Sequence, residues 1–325
     1  MLVGSKQILI LCHQNADPDA IGSAYALSRL IHSKIPSINV EIIAPKGINR
    51  ISKQILQYFP IDIETNPKIQ NFDMIILVDT STLIQLGEFG TIIRSSEKPL
   101  ILIDHHTPRM EMTKQATFCI INEEASSTCE IVFDLFEKSN TPLDSNIAKA
   151  LFLGIAYDTR HFIIAKSFTF KIVAKLMNSG IVVEELLPLL NVPLQISERI
   201  ARLKAAQRLQ CIKLDMWLIA YSKVGSYQSS VARGLIALGA DVASVGGERS
   251  KKLKISLRSS KKFFDVTHIH LGRDIASYLD KSLNGMGGGH NTAAAFNGEG
   301  SLDKAFEYCI NLLKNNIEIR KNKSK

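Results

Sequence analysis

A chain of 325 residues, 46% hydrophobic and 22% charged, is long enough to bury two globular cores and too balanced for a disordered or fibrous polymer. Its formal charge of +8 leans toward polyanionic partners such as nucleotides or nucleic acid, and no run approaches the ~18 consecutive apolar residues that a membrane span needs. Five scattered cysteines (Cys12, Cys119, Cys129, Cys211, Cys309) form no CxxC pair, as expected of buried thiols in a reducing compartment, so a cytoplasmic protein without targeting segment or membrane anchor is expected.

In chain order, "QILILCH" (7–13), "INVEIIA" (38–44), "DMIILVD" (73–79) and "PLILID" (99–104) read as buried strands. "DAIGSAYALSRLIHS" (19–33) and "SSTCEIVFDLFEKS" (126–139) read as amphipathic helices between or after them. This alternation predicts an α/β domain with a doubly wound, mostly parallel sheet. From residue 145 to 210 the pattern turns helical, and "ISERIARLKAAQRLQ" (196–210) is expected to be a connector. A smaller α/β unit follows, with strands at "MWLIAYS" (216–222) and "KLKISLRS" (252–259) and helices at "SSVARGLIAL" (229–238) and "THIHLGRDIASYLDKS" (267–282). The glycine run "GMGGGH" (285–290), the apolar "TAAAF" (292–296) and a helix near 302–317 complete it. The expected division is 1–190, a connector over 191–212, a second domain over 213–318 and a frayed basic tail over 319–325.

Three of these strands end alike: the first delivers His13, the third Asp79, and the fourth Asp104 followed by His105 and His106. In an open parallel sheet the carboxyl ends of the strands form the crest where ligands bind. Asp17 and Asp19 follow His13 by four and six residues, where Asp17 also reads as an N-cap, Pro18 as the first helical residue and Asp19 as a first-turn acid. That local reading leaves His13, Asp79 and Asp104 unexplained. Asp158 ends an apolar helix, where a carboxylate is disfavoured unless something compensates. Gathered acids repel and raise one another's pKa unless a cation neutralises them, and imidazole with carboxylate but no thiolate suits Mn²⁺ or a similar ion. The surplus of carboxylates suggests two ions sharing a bridging carboxylate.

"HQNADPD" (13–19), "VDT" (78–80), "DHH" (104–106) and "AYDT" (156–159), in that order, resemble the four motifs of the DHH phosphoesterase family. "GMGGGHNTAAAF" (285–296) resembles the hallmark of the DHH-associated substrate domain in its RecJ and nanoRNase branch. The resemblance implies that His13, Asp17 and Asp79 hold one Mn²⁺, with Mg²⁺ or Co²⁺ as alternatives. Asp19, Asp79, His105 and Asp158 would hold the second, with Asp79 bridging. It makes His106 an electrostatic or acid group at the phosphate, gives Asp104 the task of orienting the histidines, and places Asn15 within reach of the phosphate. In the second domain, a lid in the family, it assigns substrate binding to Gly287, Gly288, Gly289, His290 and Arg258. Family II pyrophosphatases share the first domain but lack the glycine-histidine stretch, so the expected activity is hydrolysis of short RNA or linear dinucleotides by a metal-activated hydroxide. A 3′-phosphoadenosine 5′-phosphate phosphatase, a cyclic-dinucleotide phosphodiesterase and a silent nucleic-acid-binding module remain open, as does a monomer or homodimer. The basic cluster from Arg249 to Lys262 reads equally as a solvated strand pair or as an extension of a nucleic-acid groove, whereas Phe263, Phe264 and Phe296 read as core more readily than as a stacking platform.

Overall fold

The structure, a computed structural model, describes residues 5–64, 71–191 and 193–323. The chain divides into two compact units, 1–192 and 193–325. The first contains β1 (Gln7–Leu11), α1 (Pro18–Lys34), β2 (Asn39–Ile43), α2 (Arg50–Ile55), β3 (Met74–Val78), α3 (Glu88–Arg94), β4 (Leu100–Asp104), α4 (Met110–Gln115), β5 (Phe118–Ile121), α5 (Thr128–Lys138), α6 (Ser145–Asp158), α7 (Ser167–Met177) and α8 (Val183–Leu186). Its five strands are all parallel, in the order β2-β1-β3-β4-β5.

Both faces of this sheet are covered, which is why its strands are continuous apolar runs rather than alternating ones. Ile8, Ile10, Ile76, Val78, Ile101 and Ile103 pack with α1, α5 and α6 on one face. Their neighbours Leu9, Leu11, Ile75, Leu77, Leu100 and Leu102 pack against Leu83, Leu86, Phe89, Ile93 and Met112 on the other. The period of two sorts every residue to one layer or the other. Helices α1 and α6 touch closely at Gly22, where a Cβ would lie 2.6 Å from the Ala150 carbonyl oxygen.

The second unit contains α9 (Ile196–Gln207), β6 (Gln210–Leu214), β7 (Trp217–Lys223), α10 (Gln228–Ala237), β8 (Val242–Arg249), β9 (Lys252–Ser259), α11 (Lys261–Thr267), α12 (Ser277–Ser282), β10 (Gly285–Gly289), β11 (Ala293–Glu299) and α13 (Leu302–Lys323). Its six-stranded sheet runs β10-β11-β9-β8-β7-β6, with only β7 and β8 parallel. Phe263 and Phe296 are fully buried on one face, which makes them core rather than stacking platforms.

Several elements depart from the sequence expectation. The stretch 267–282 is not one helix: α11 stops at His268 in the left-handed region, and a π-helical turn, Leu271–Ala276, precedes α12. Gly272 in that turn lies so near Gly289 that a Cβ would come within 2.2 Å of the Gly289 carbonyl oxygen. The expected connector, α9, buries Ala205 in a core with α10, β7 and β8. The basic end is helical to Lys323, not frayed, with Arg320 paired to Asp274 at 3.0 Å and Lys321 to Asp215 at 2.9 Å, while Lys325 lies outside the described residues. Two cysteines are not buried, Cys119 and Cys211, because both sit on sheet-edge strands, β5 and β6. Among the described residues no helix is long and apolar enough to cross a membrane.

Candidate metal centre

The order β2-β1-β3-β4-β5 reverses direction between β1 and β3, and at such a switch point the loops leave the sheet on opposite sides and open a crevice. His13 follows β1 and Asp79 follows β3, so these two side chains stand on either side of the crevice. Asp104 closes β4 and hands the chain to His105 and His106. The last residue of α6 brings Asp158 to the same place.

Ligand-type atoms form three tight groups, each within 4.8 Å: His13, Asp17 and Asp79; Asp19, His105 and Asp158; and Asp79, Asp104, His105 and His106. Asp79 belongs to two of them. Its Oδ2 is 3.7 Å from His13 Nε2, and its Oδ1 is 3.7 Å from His105 Nε2, so each carboxylate oxygen faces a different histidine. The backbone there is held at φ 53°, a left-handed value that costs a non-glycine residue of order 1–3 kcal/mol and aims the side chain across the crest. Asn15, on the first loop, has the same φ of 53° and an exposed side chain.

The surrounding hydrogen bonds fix which atoms face inward. His13 Nδ1 bonds the Gln14 carbonyl oxygen at 2.8 Å, which leaves Nε2 for the crevice. Asp17 does cap α1, but only through Oδ1, which accepts from the N–H groups of Asp19 and Ala20; its Oδ2 faces His13 Nε2 at 3.7 Å. Asp19 is fully buried and serves a helix other than its own. Its carboxylate accepts from the N–H groups of Thr128 and Cys129 at 2.7 and 2.9 Å, at the start of α5. Asp104, also fully buried, accepts from the His106 N–H at 3.0 Å and lies 2.9 Å from His106 Nδ1, while the His106 ring is half exposed.

Thr128 was not anticipated. Its N–H holds Asp19, and its hydroxyl donates to Asp79 Oδ1 at 3.2 Å, so one buried residue ties the group of Asp19 to the two groups that share Asp79. In sequence, "SST" before an amphipathic helix reads as a cap, and Ser127 does cap α5. No local signal marks the next residue.

Without a cation the centre is electrostatically frustrated. Burial, then Asp19, Asp17, Asp158 and Asp104, push the Asp79 carboxyl well above the usual range. Burial and Asp158 raise Asp19 to about 7, against the opposing pull of His105. Burial favours neutral His105, yet the Asp158 and Asp19 carboxylates outweigh it and raise the imidazole to about 9. His105 Nε2 lies 3.1 Å from Asp158 Oδ2 without the alignment of a hydrogen bond, and it and Asp104 Oδ2 are buried with no hydrogen-bond partner among the described residues. Buried orphan atoms on imidazole and carboxylate, ringed by like charges, fit a divalent cation.

In the second unit, Arg258 and His290 line one cavity of about 320 Å³ together with Gly288 and Gly289. The glycine run is a strand, not a loose turn: Gly287, Gly288 and Gly289 pair with Phe296, Ala295 and Ala294. Gly289, at φ 143°, packs so tightly that a Cβ would lie 2.4 Å from the Ala293 carbonyl oxygen, whereas a Cβ on Gly288 would meet open space. The Arg258 guanidinium donates to Ser229 Oγ at 2.7 Å, which fixes its direction.

Residues 7–155 match the DHH family, N-terminal domain. An uncharacterised protein of Methanocaldococcus jannaschii is 34% identical over 307 residues, 94% of this chain and 91% of that one. A probable manganese-dependent inorganic pyrophosphatase of Lactococcus lactis is 30% identical over 161 residues, 48% of this chain and 49% of its own. A probable bifunctional oligoribonuclease and PAP phosphatase of Streptococcus mutans is 28% identical over 172 residues, 52% of each chain. This chain thus spans about half the length of these two named relatives. An exopolyphosphatase-related protein from Bacteroides fragilis has the same fold, with a TM-score of 0.63 at 21% identity over 98% of this chain and 94% of that one. The extent of the match, together with acids and histidines delivered to one crest by the four motifs, shows that the chain belongs to the DHH family of phosphoesterases.

Proposed function

We propose that the protein is a Mn²⁺-dependent phosphodiesterase that hydrolyses very short RNA or linear dinucleotides to nucleoside monophosphates. The observation that carries this reading is Asp79, whose two oxygens face His13 and His105 on opposite sides. His13, Asp17 and Asp79 would hold one ion; Asp19, Asp79, His105 and Asp158 would hold the other. When bound, the ions would activate a water and neutralise charge on the attacked phosphoryl group.

The chain's own residues supply the rest. Asp104 engages Nδ1 of His106, so the remaining nitrogen of that ring is available to a phosphoryl oxygen or leaving group. The Asn15 amide can donate to a non-bridging oxygen. In the second unit, Arg258 and His290 would grip the phosphate remote from the scissile bond, and the glycine N–H groups can approach an anion without a Cβ in the way.

A product time course tests this reading: labelled RNAs of two to about twenty-four nucleotides with Mn²⁺, with 3′-phosphoadenosine 5′-phosphate and pyrophosphate assayed alongside. Fast loss of the shortest RNAs with poor action on the longest is the expected result. Uniform degradation of long strands, hydrolysis of pyrophosphate alone, or no hydrolysis by folded, metal-loaded protein would each overturn it.

A further inference from the structure

The cavity at Arg258 and His290 does not end there. It shares Lys254, Gly288 and Ala295 with a larger one of about 1200 Å³ on the same sheet face, reaching Arg249, Lys252 and Met286. Along β9 the odd residues Leu253, Ile255 and Leu257 are buried, while on the other face Lys252 and Lys254 are exposed, Ser256 is buried and Arg258 is half-buried, so that face carries two adjacent exposed cations and a third beyond a gap. From Arg258 to Lys252 this track runs six residues, about 20 Å at a strand's rise. The hairpin from β8 to β9, with Ser250 and Lys251 both in the left-handed region, adds Arg249 directly opposite Lys252.

Arg258 is anchored by Ser229, but among the described residues no carboxylate pairs with Arg249, Lys252 or Lys254. Glu299 stands in register opposite Lys252 and lines the same cavity, and Glu248, also among its lining residues, accepts the Leu302 N–H, so the acids of this cavity lie at the Arg249 and Lys252 end of the track. The cavity is lined by small residues, Gly288 and Ala295 among them, and by Tyr227, whose hydroxyl is held by Ser197 and Gln195, and Met286, 76% exposed. Lys252 and Lys254, two residues apart, stand ~7 Å apart along the strand, a spacing suited to neighbouring phosphates of an extended single strand, and an aromatic ring and a thioether lining the same cavity suit an unpaired base.

We propose that this larger cavity is a second nucleotide-binding subsite, which takes the stretch of a single-stranded RNA that continues past the phosphate held at Arg258 and His290. Arg249 and Lys252 bind its phosphates, and Tyr227 and Met286 bracket a base. The proposal rests on the functional reading above for the kind of ligand and extends it: the groove holds RNAs of about four to six nucleotides better than dinucleotides.

The test compares wild type with the double variant Arg249→Ala/Lys252→Ala, both exposed positions, in the full chain. Binding of a labelled hexaribonucleotide is followed by fluorescence anisotropy without added metal at several salt concentrations, and KM is measured with Mn²⁺ for RNAs of two and six nucleotides. The variant is expected to bind the hexamer at least about tenfold more weakly, with a salt slope smaller by roughly 1.4, about 0.7 per lost phosphate contact on a single strand. Its KM for the dinucleotide is expected to be unchanged. Unchanged hexamer affinity and slope, or an equal loss on the dinucleotide, would overturn the second subsite. If wild type hydrolyses no RNA while hexamer binding still depends on the two cations, the subsite stands and the functional reading falls.

Discussion

The two units solve opposite problems with opposite materials. The crest of the first crowds acids and histidines into three groups around three buried carboxylates, Asp19, Asp79 and Asp104, and fixes them with hydrogen bonds from loop and helix backbone. The open face of the second unit is made by what is missing: a Cβ at Gly288 would have nothing within 4 Å, the lining residues are small, and Arg249, Lys252 and Lys254 form no ion pair among the described residues. Chemistry needs groups held against their electrostatic preference, whereas binding a flexible polyanion needs room and unspent charge. Changes in the first unit should therefore act on turnover and metal affinity, and changes in the second on substrate affinity.

The sharpest attempt to break this contrast is Asp79→Ala, expected to lower kcat by on the order of 10²–10³-fold or more, the scale of losing one preorganised electrostatic partner. Burial and neighbouring acids disfavour the charged Asp79, so the metal-free variant should unfold in urea at no lower concentration than wild type. Substantial turnover in this folded variant would remove Asp79 from the centre. Next is Thr128→Val, which keeps the shape and the N–H to Asp19 but deletes the hydroxyl to Asp79. Metal affinity, measured by calorimetry, should fall about 10–100-fold as for other ligand-orienting residues, with Thr128→Ser restoring most of it. A fall in KM behaviour alone, with metal affinity intact, would move Thr128 out of the metal centre.

Packing sharpens the contrast further. Gly154 on α6 faces Cys129 and Asp19, and a Cβ there would lie 2.3 Å from the Cys129 sulfur and 3.0 Å from Asp19 Oδ1. Gly154→Ala should cost about 1–3 kcal/mol in chemical denaturation, the usual range for overpacking, and should weaken metal binding with it. Smallest is Arg258→Ala, expected to raise KM about tenfold through one lost charge-assisted hydrogen bond while leaving metal affinity unchanged. A metal-affinity loss in that variant would mean the two units are not the separate instruments described.

What the sequence made legible follows the same divide. Strand ends and a period of two were enough to place His13, Asp79, Asp104 and His105 on one crest, because a parallel sheet sends all its carboxyl ends one way. Asp17 and Asp19 were ambiguous, and the structure shows Asp17 capping α1 through Oδ1 while its Oδ2 faces His13, so the cap does not use up the carboxylate. Thr128 was invisible because its role depends on α5 packing beside α1, a tertiary fact that no local pattern carries. In the second unit, β8 was missed since Gly246 and Gly247 weaken its strand signal; they are small because Leu302 and the Val224 carbonyl oxygen press against them. The edge strand β5 was missed because its apolar run, FCII, is only four residues long, and β6 because QCIKL interrupts its apolar residues with polar ones and runs straight on from the helical pattern of α9. The break after Thr267 escaped because apolar spacing continues through a π-helical turn that Gly272 and Gly289 allow to approach the sheet.

The central claim is a single centre for two divalent ions joined through Asp79, and the most direct test is to count them. Mn²⁺ should be titrated into the full, metal-free chain by calorimetry, with the bound metal then measured by elemental analysis. Two ions per chain in wild type, and at most one tightly bound in Asp79→Ala, is the predicted result. One ion or none in wild type, or two bound with unchanged affinity in the variant, would contradict it.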